Sequence, residues 1–406
     1  MPVFGRLSRT AVAVGGALVM LVPAAAQPAT AASPTSFTDR HSARRFAHPG
    51  VLENRDQLAF VRAKVRRGAE PWASAFEQMR ANPLASLDRA PTPRALVECG
   101  SFSNPNLGCT DERQDALAAY ADALIWYITR DRAYAEKAIS IMNAWSGVIT
   151  GHTNSTAPLQ TGWAGATWPR AAEIIRYTYR GWHRADVERF STMLRDVYLP
   201  VVIKGHATNN GNWELTMMEA AVGISVFLDD RASYDTAIAK FRARVPAYLY
   251  LASDGPLPAA PPGSTITTPE RIAAFWGGQS TFVDGLAQET CRDFVHTGYG
   301  LASIAHVAEI TRNQGRSLYP ELRTRLSKAL EFHAYYQTGA PVPAWLCGGK
   351  LTLGIGPATE VAYNALHNRM GVRLPLTGAL TRAQRPANTN LLFIGWDSLT
   401  HARNPS

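Results

Sequence analysis

Within ETCRDFVHTGYGLASIAHVAEI, residues 289 to 310, an arginine, a histidine and a tyrosine recur at helical spacing. Arg292, His296 and Tyr299 stand at i, i+4 and i+7, so on a helix they share one face. Such a face offers a guanidinium able to grip a carboxylate with two hydrogen bonds. It also offers an imidazole and a phenol, two groups that exchange protons. Glu289, one turn before Arg292, could orient the guanidinium. The alternative for the same residues is a hydrogen-bonded core stripe, with Phe294, Val295, Leu301 and Ile304 supplying the packing. A second stretch, TNNGNWELTMMEAAVGISVFLDD at 208 to 230, sets three amides and an indole at the head of an apolar run. One asparagine or glycine is enough to start a helix. Asn209, Asn210, Asn212 and Trp213 exceed that need.

Other chemistries find less support. A glycoside hydrolase would need two separated carboxylates. Asp229 and Asp230 end a helix, Glu219 lies in an apolar stretch, and none sits in a context that marks it as catalytic. No G-x-S-x-G nucleophile elbow occurs, and nothing reads as a phosphate-binding or dinucleotide loop. Cys99 and Cys109 flank GSFSNPNLG, a loop dense in turn residues, and are expected to bridge it. Cys291 and Cys347 would then pair across a longer span, although four cysteines allow three connectivities. Their spacing matches no zinc motif, so no metal and no cofactor is expected.

Helices must position these residues. DERQDALAAYADALIWYITRD, RAYAEKAISIMNAW, ADVERFSTMLRDVYLPVVI, WELTMMEAAVGISVFLD, ASYDTAIAKFRARVPAYLYL and ELRTRLSKALEFHAYY all carry apolar residues at helical period. PRAAEIIRYTYRGW places Pro169 near an expected helix start. No series of alternating strands appears. Paired antiparallel helices without a sheet predict an α/α toroid or a helical solenoid. SDGPLPAAPPGSTITTPE, residues 253 to 270, breaks the pattern. With FWGGQSTF after it, this segment reads as the rim or lid of a cleft, or else as a solvated excursion.

The first residues bear on location. Arg6 and Arg9 precede the apolar run AVAVGGALVMLVPAAA, and QPATAAS follows, the pattern of a secretory signal peptide ending near residue 32. One domain is expected from residue 33 to 406, in a secreted protein. No later segment reaches ~18 uninterrupted apolar residues, so no membrane span is expected. The chain carries 41 Lys+Arg against 32 Asp+Glu, net +9, and loss of Arg6 and Arg9 leaves +7. A basic secreted protein suits a polyanionic partner. No Lys/Arg block tracks phosphates, so nucleic acid is not expected.

Four stretches carry a resemblance: NNGNW (209–213), LQTGWAGATWPRAAEIIR (159–176), CRDFVHTGYGL (291–301) and TEVAYNALHNRMG (359–371). Over most of its length the chain resembles the alginate lyase superfamily, and most closely polysaccharide lyase family 38, whose members cleave polymannuronate or glucuronan. The resemblance implies an all-α fold, an incomplete (α/α) toroid with a long cleft, and β-elimination at a uronic acid. It aligns Asn210 with the asparagine that neutralises the substrate carboxylate, and Arg292 and Tyr299 with an arginine and tyrosine seven apart. Gly211 departs from the histidine of related lyases. Either Tyr299 then acts alone as acid and base, or another histidine fills the place, His296 first and His206 or His152 after it.

Elimination removes the C5 proton of a uronate and expels the oxygen on C4. A donor aimed at the carboxylate stabilises the enolate-like intermediate, and Asn210, with Asn209, suits that role without titrating. A free tyrosine titrates near ~10, so Arg292 would favour its phenolate. Trp163, Trp168, Trp213 and Trp276 are candidates for stacking on sugars, two of the four being expected to do so. Arg170 and Lys350 are candidates for flanking carboxylates, while Tyr363 and Asn364, with Arg369, could close one end of the cleft. The expectation is a secreted, metal-independent lyase of an acidic β-1,4-linked polyuronate, acting as a monomer. The rivals are a glycoside hydrolase on a similar toroid and a non-catalytic binder of acidic glycans.

Overall fold

The polar opening of DERQDALAAY and the small residues that follow build a helix that is buried almost from end to end. Seventeen of its 21 residues are buried, which only a helix surrounded by other helices can achieve. Several helices share this character in the structure, a computed structural model that describes Ala11 and residues 45–406. Apart from Ala11, the expected leader, residues 1–32, lies outside the described residues.

In chain order the helices are α1 (Arg55–Arg66), α2 (Trp72–Arg80), α3 (Cys109–Thr129), α4 (Arg132–Ser146), α5 (Ala157–Thr178), α6 (Arg184–Met193) and α7 (Leu199–Val202). They continue with α8 (Gly211–Phe227), α9 (Arg231–Arg244), α10 (Pro269–Phe275), α11 (Phe294–Asn313), α12 (Tyr319–Gln337), α13 (Glu360–Tyr363), α14 (Pro375–Ala383) and α15 (Asp397–His401). Three short strands, β1 (Leu96–Cys99), β2 (Asn106–Leu107) and β3 (Gly151–Thr153), form a small sheet in the order β2-β1-β3. The pairing of β1 with β2 is antiparallel and with β3 parallel.

Side-chain contacts fix how the buried helices run. Arg113 and Trp126 of α3 bond Gln160 and Thr178 of α5. Gly162 and Gly165 of α5 face Met217 and Ala220 of α8. Thr216 and Glu219 of α8 bond Ser303 and His306 of α11. Each pairing advances in step, so α3, α5, α8 and α11 are parallel. Short-looped partners, α4, α9 and α12, pack outside them. The result is an all-α toroid of helix pairs, one of the two arrangements the periodicity allows and the one the resemblance implies, and residues 45–406 form one compact unit.

One detail differs from the sequence reading. Pro169 stands inside α5 rather than near its start. The helix begins at Ala157, and with 17 buried residues it is held by tertiary packing despite the missing N–H. The two ends of the inner helices are unlike. Residues 47 to 52 cover the C-terminal ends of the inner helices: Gly50 donates to Glu173 at 2.9 Å, Asn313 donates to the Leu52 carbonyl at 3.0 Å, and Ala47 bonds Gln314 at 2.8 Å. The N-terminal ends carry Arg113, Trp163, Asn210 and Tyr299.

Candidate active site

At the start of α8 the NNGNW segment does not use its amides as caps. Asn210 occupies the N-cap position, yet its side chain makes no capping bond. Gln288 takes it instead, donating from Nε2 to Asn210 Oδ1 at 3.0 Å. The same Gln288 accepts the Gly211 N–H at 2.9 Å. The Asn210 carbonyl oxygen is thereby fixed, and its Nδ2 group has no acceptor among the described residues. Asn212 is different. It is fully buried and donates to both oxygens of Glu289, at 2.7 and 2.8 Å, which makes it a structural anchor. Asn209 is half-buried, with its carbonyl held by Arg244 at 2.9 Å. Trp213 is also half-buried and lies edge-on to His206 at 5.6 Å.

Position 211 leaves no room for a side chain in this structure. A Cβ there would lie 2.1 Å from Cδ2 of Tyr248. Tyr248 also meets Gly300 of α11, where a Cβ would come within 2.3 Å of its ring. Its buried ring is wedged between α8 and α11, and its hydroxyl reaches Glu289 at 3.2 Å and the His296 carbonyl at 3.4 Å. Gln288, Glu289 and Tyr248 therefore stitch Asn210 to the head of α11.

There the expected three-residue face is corrected. Asp293 caps α11 and accepts the His296 N–H at 2.7 Å, so the helix starts at Phe294 and Arg292 lies before it. Arg292 is placed by other means. Its neighbour Cys291 is bonded to Cys347, and its Nη1 pairs with Glu289 at 2.9 Å. Its side chain keeps 36% exposure, enough to meet a ligand. His296 and Tyr299 do share the first turns of α11, with ring centroids 5.4 Å apart. His296 Nδ1 lies 2.8 and 2.7 Å from the two oxygens of Asp293.

Electrostatics around Tyr299 oppose one another. Burial raises its pKa above the ordinary tyrosine value, the Asp293 charge adds to that, and Arg113 and Arg292 pull it back only in part. Tyr299 accordingly stands protonated at neutral pH. Arg113, from the first turns of α3, was missed by the sequence reading, in which it was part of a polar helix start. It donates to Gln160 at 2.9 Å, and its guanidinium lies 5.2 Å from the Trp163 ring centre. Cys109, bonded to Cys99, begins the same helix.

Several expected ligand contacts are corrected by burial. Trp168 is fully buried and donates to the Tyr198 hydroxyl at 3.1 Å. Trp276 is 1% exposed and packs edge-on to Phe282. Arg170 is fully buried against Glu219 and donates to the Phe393 carbonyl at 2.9 Å. Tyr363 is buried and accepts from Arg382 at 3.0 Å. Asn364 is fully buried on the Asn404 carbonyl, and Arg369 pairs with Glu309. Trp168, Trp276, Arg170, Tyr363 and Asn364 are thereby committed to the core, while Arg369 is half-buried and lines a separate cavity with Arg312, Tyr319 and Met370. Trp163 and Trp213 remain half-buried and Lys350 exposed. His152 is buried on Glu112 at 2.8 Å. Among the described residues no group of three or more His, Cys, Asp or Glu side chains could hold a metal ion.

The arrangement offers an uncommitted amide donor, an exposed guanidinium, an imidazole with one nitrogen engaged, and a protonated phenol. These suit proton abstraction next to a carboxylate, with return of a proton to a leaving oxygen. Comparisons with known proteins agree in kind. Residues 94–260 match the family model described as Alginate lyase. The fold is similar to alginate lyase A1-III from Sphingomonas species A1, with 13% identity and a TM-score of 0.58, covering 87% of this chain and 99% of that one. It is also similar to a histidine-to-alanine variant of alginate lyase A1-III complexed with a tetrasaccharide, with 14% identity and a TM-score of 0.55, covering 87% and 98%. No curated protein sequence matches the chain.

Proposed function

We propose that this chain, a member of the alginate lyase superfamily by the pattern of residues 94–260, is a secreted polysaccharide lyase. Its substrate is a β-1,4-linked polyuronate of the mannuronan or glucuronan type, cleaved by β-elimination. The observation that carries this reading is the free Nδ2 of Asn210, held by Gln288 into the same stitched region as Arg292, His296 and Tyr299. The parallel inner helices add to it, since their N-terminal ends carry positive dipole charge toward the site and favour an acidic ligand. Two disulfides fit an oxidising compartment.

In this mechanism Arg292 grips the uronate carboxylate and Asn210 Nδ2 donates to it, stabilising the charge that develops as C5 loses its proton. His296 Nε2 takes that proton. The C5–H electron pair forms the C4–C5 double bond, the C4–O4 bond breaks, and the Tyr299 hydroxyl protonates O4. Return of the proton from imidazolium to phenolate, between neighbouring rings, resets the site. In β-linked mannuronate and glucuronate the C5 proton and the C4 oxygen leave from one side. Two adjacent groups on one helix can therefore serve both steps. Guluronate has the opposite C5 configuration and would need groups on both faces. Lys350 is the exposed cation left for a flanking carboxylate, and Trp163 and Trp213 the rings left for stacking.

The test is a screen of polymannuronate, polyguluronate and glucuronan read by ultraviolet absorbance of the new double bond. Absorbance rising with polymannuronate or glucuronan is expected. New reducing ends without absorbance would instead indicate a hydrolase. Binding with no fall in viscosity would indicate a non-catalytic glycan binder.

A further inference from the structure

Asp293 stands in an unusual double role. As the residue before α11 it accepts the His296 backbone N–H at 2.7 Å, and with the same carboxylate it holds His296 Nδ1 at 2.8 and 2.7 Å. A cap needs one oxygen and any of several residue types. A carboxylate engaging an imidazole on one nitrogen does something a neutral cap cannot. It fixes the tautomer with the proton on Nδ1, leaves the lone pair on Nε2, and stabilises the imidazolium once it forms. His296 is 27% exposed and Asp293 18% exposed at their side chains, so the pair is sheltered but reachable.

We propose that Asp293 is a positioning residue that makes His296 the base of the elimination, and that this Asp–His pair replaces the imidazole that Tyr248 excludes from position 211. The proposal rests on the lyase reading above. The groups around His296 are few. Tyr299 faces it on α11 at 5.4 Å. Tyr248, wedged between α8 and α11, reaches its carbonyl at 3.4 Å and connects through its hydroxyl to Glu289. Arg292 precedes the helix and pairs with Glu289, and Arg113 on α3 acts on Tyr299 from across. Asp293 is the one carboxylate that bonds the His296 ring among the described residues.

Asp293→Asn separates the two roles, because asparagine is as good a cap as aspartate but carries no charge. The expected result is an unchanged melting curve with kcat lower by about 10²-fold or more. The acid limb of kcat/KM should move to lower pH, since the imidazolium loses its counter-charge. Asp293→Glu should recover part of the rate. A cap-only role would show as near-normal kcat in Asp293→Asn with an unmoved acid limb, and that overturns the proposal. If Asp293→Asn unfolds, Asp293→Ser, which also caps, is read in the same way. His296→Gln separates this proposal from the reading beneath it. A collapse of turnover in His296→Gln beside a normal Asp293→Asn rejects only the positioning role. Normal turnover in His296→Gln rejects His296 as the base, and with it the proposal. In either case ultraviolet absorbance of the wild-type product still reports whether the chain is a lyase.

Discussion

Asn210 is the residue at which a helix cap and the proposed donor to substrate can be told apart. Its side chain takes no part in capping α8, because Gln288 holds the oxygen and the amino group is free. Asn210→Ala should therefore leave the melting curve nearly unchanged while lowering kcat by ~10²–10³, with less effect on KM because the amide acts mainly in the transition state. Asn210→Asp should be at least as damaging at neutral pH, where it sets a charge against the substrate carboxylate. Part of the activity should return as that new carboxyl is protonated. A lowered melting point with wild-type turnover would return Asn210 to the role of a cap. Gly211 behaves in the opposite way. Adding one methyl drives a Cβ to 2.1 Å from the Tyr248 ring, so Gly211→Ala should cost about 1–3 kcal/mol of stability by overpacking. Thermal melting of Gly211→Ala checks this; an unchanged midpoint would mean that Tyr248 can move aside, and that the histidine's absence has another cause.

At the scale of elements, periodicity was enough to find α3, α4, α8, α9 and α12, because their apolar residues repeat at helical spacing and their neighbours pack as pairs. It did not find where α11 begins. The run from Glu289 to Ile310 reads as one helix, but Asp293 is a better cap than a helix interior residue, so Arg292 falls outside. The stacking residues were legible only in part. Trp168, Trp276 and Arg170 have the types that bind sugars and carboxylates, but sequence cannot show whether a large polar-tipped residue faces a cleft or fills a core bonded to Tyr198 or Glu219. Asn210 was recognisable from the excess of amides at one helix start. Gln288, Asp293 and Arg113 carry no such signal, since Gln288 precedes the run, Asp293 falls within what reads as a continuous helix, and Arg113 belongs to an ordinary polar helix start. The Cys291–Cys347 bond has a consequence at this scale. It anchors the residue next to Arg292 to the segment that carries Lys350. Cys291→Ser should cost ~2–5 kcal/mol in stability, and in the folded fraction should raise KM for polymer more than it lowers kcat. Steady-state kinetics on that variant decide it; an unchanged KM would mean that Glu289 alone keeps Arg292 in place.

Within residues 45–406, α3, α5, α8 and α11 run parallel, with residues 47 to 52 across their C-terminal ends and the candidate site residues at their N-terminal ends. The interior of this unit holds titratable groups whose environment makes the fold sensitive to acid. His333 and His401 are fully buried, and desolvation, the largest cause, lowers each from 6.5 to about 4. Their folded values lie below the unfolded one, so the stability they contribute is present above pH 6.5 and is lost as pH falls toward 4. Glu309 adds to the trend. Burial raises its pKa, but Arg369 outweighs that and brings it down to about 2. Its contribution is present above 4.5 and fades as pH drops toward 2. Burial acts in the opposite sense on Glu53 and Asp122, raising each to about 8, and this offsets the two histidines between about pH 6.5 and 4.5, so melting temperature should decline only below about pH 4.5. A melting point that stays constant from pH 4.5 down to 2 would contradict the ion-paired state of Glu309.

The central claim is that the chain breaks a polyuronate by elimination, so that no water enters the product. The most direct measurement is mass spectrometry of the fragments released from a polymannuronate oligosaccharide of known length. The account predicts two fragments whose masses add up to that of the substrate, one of them ending in an unsaturated uronate. Fragments that together weigh one water more than the substrate would show hydrolysis and contradict it.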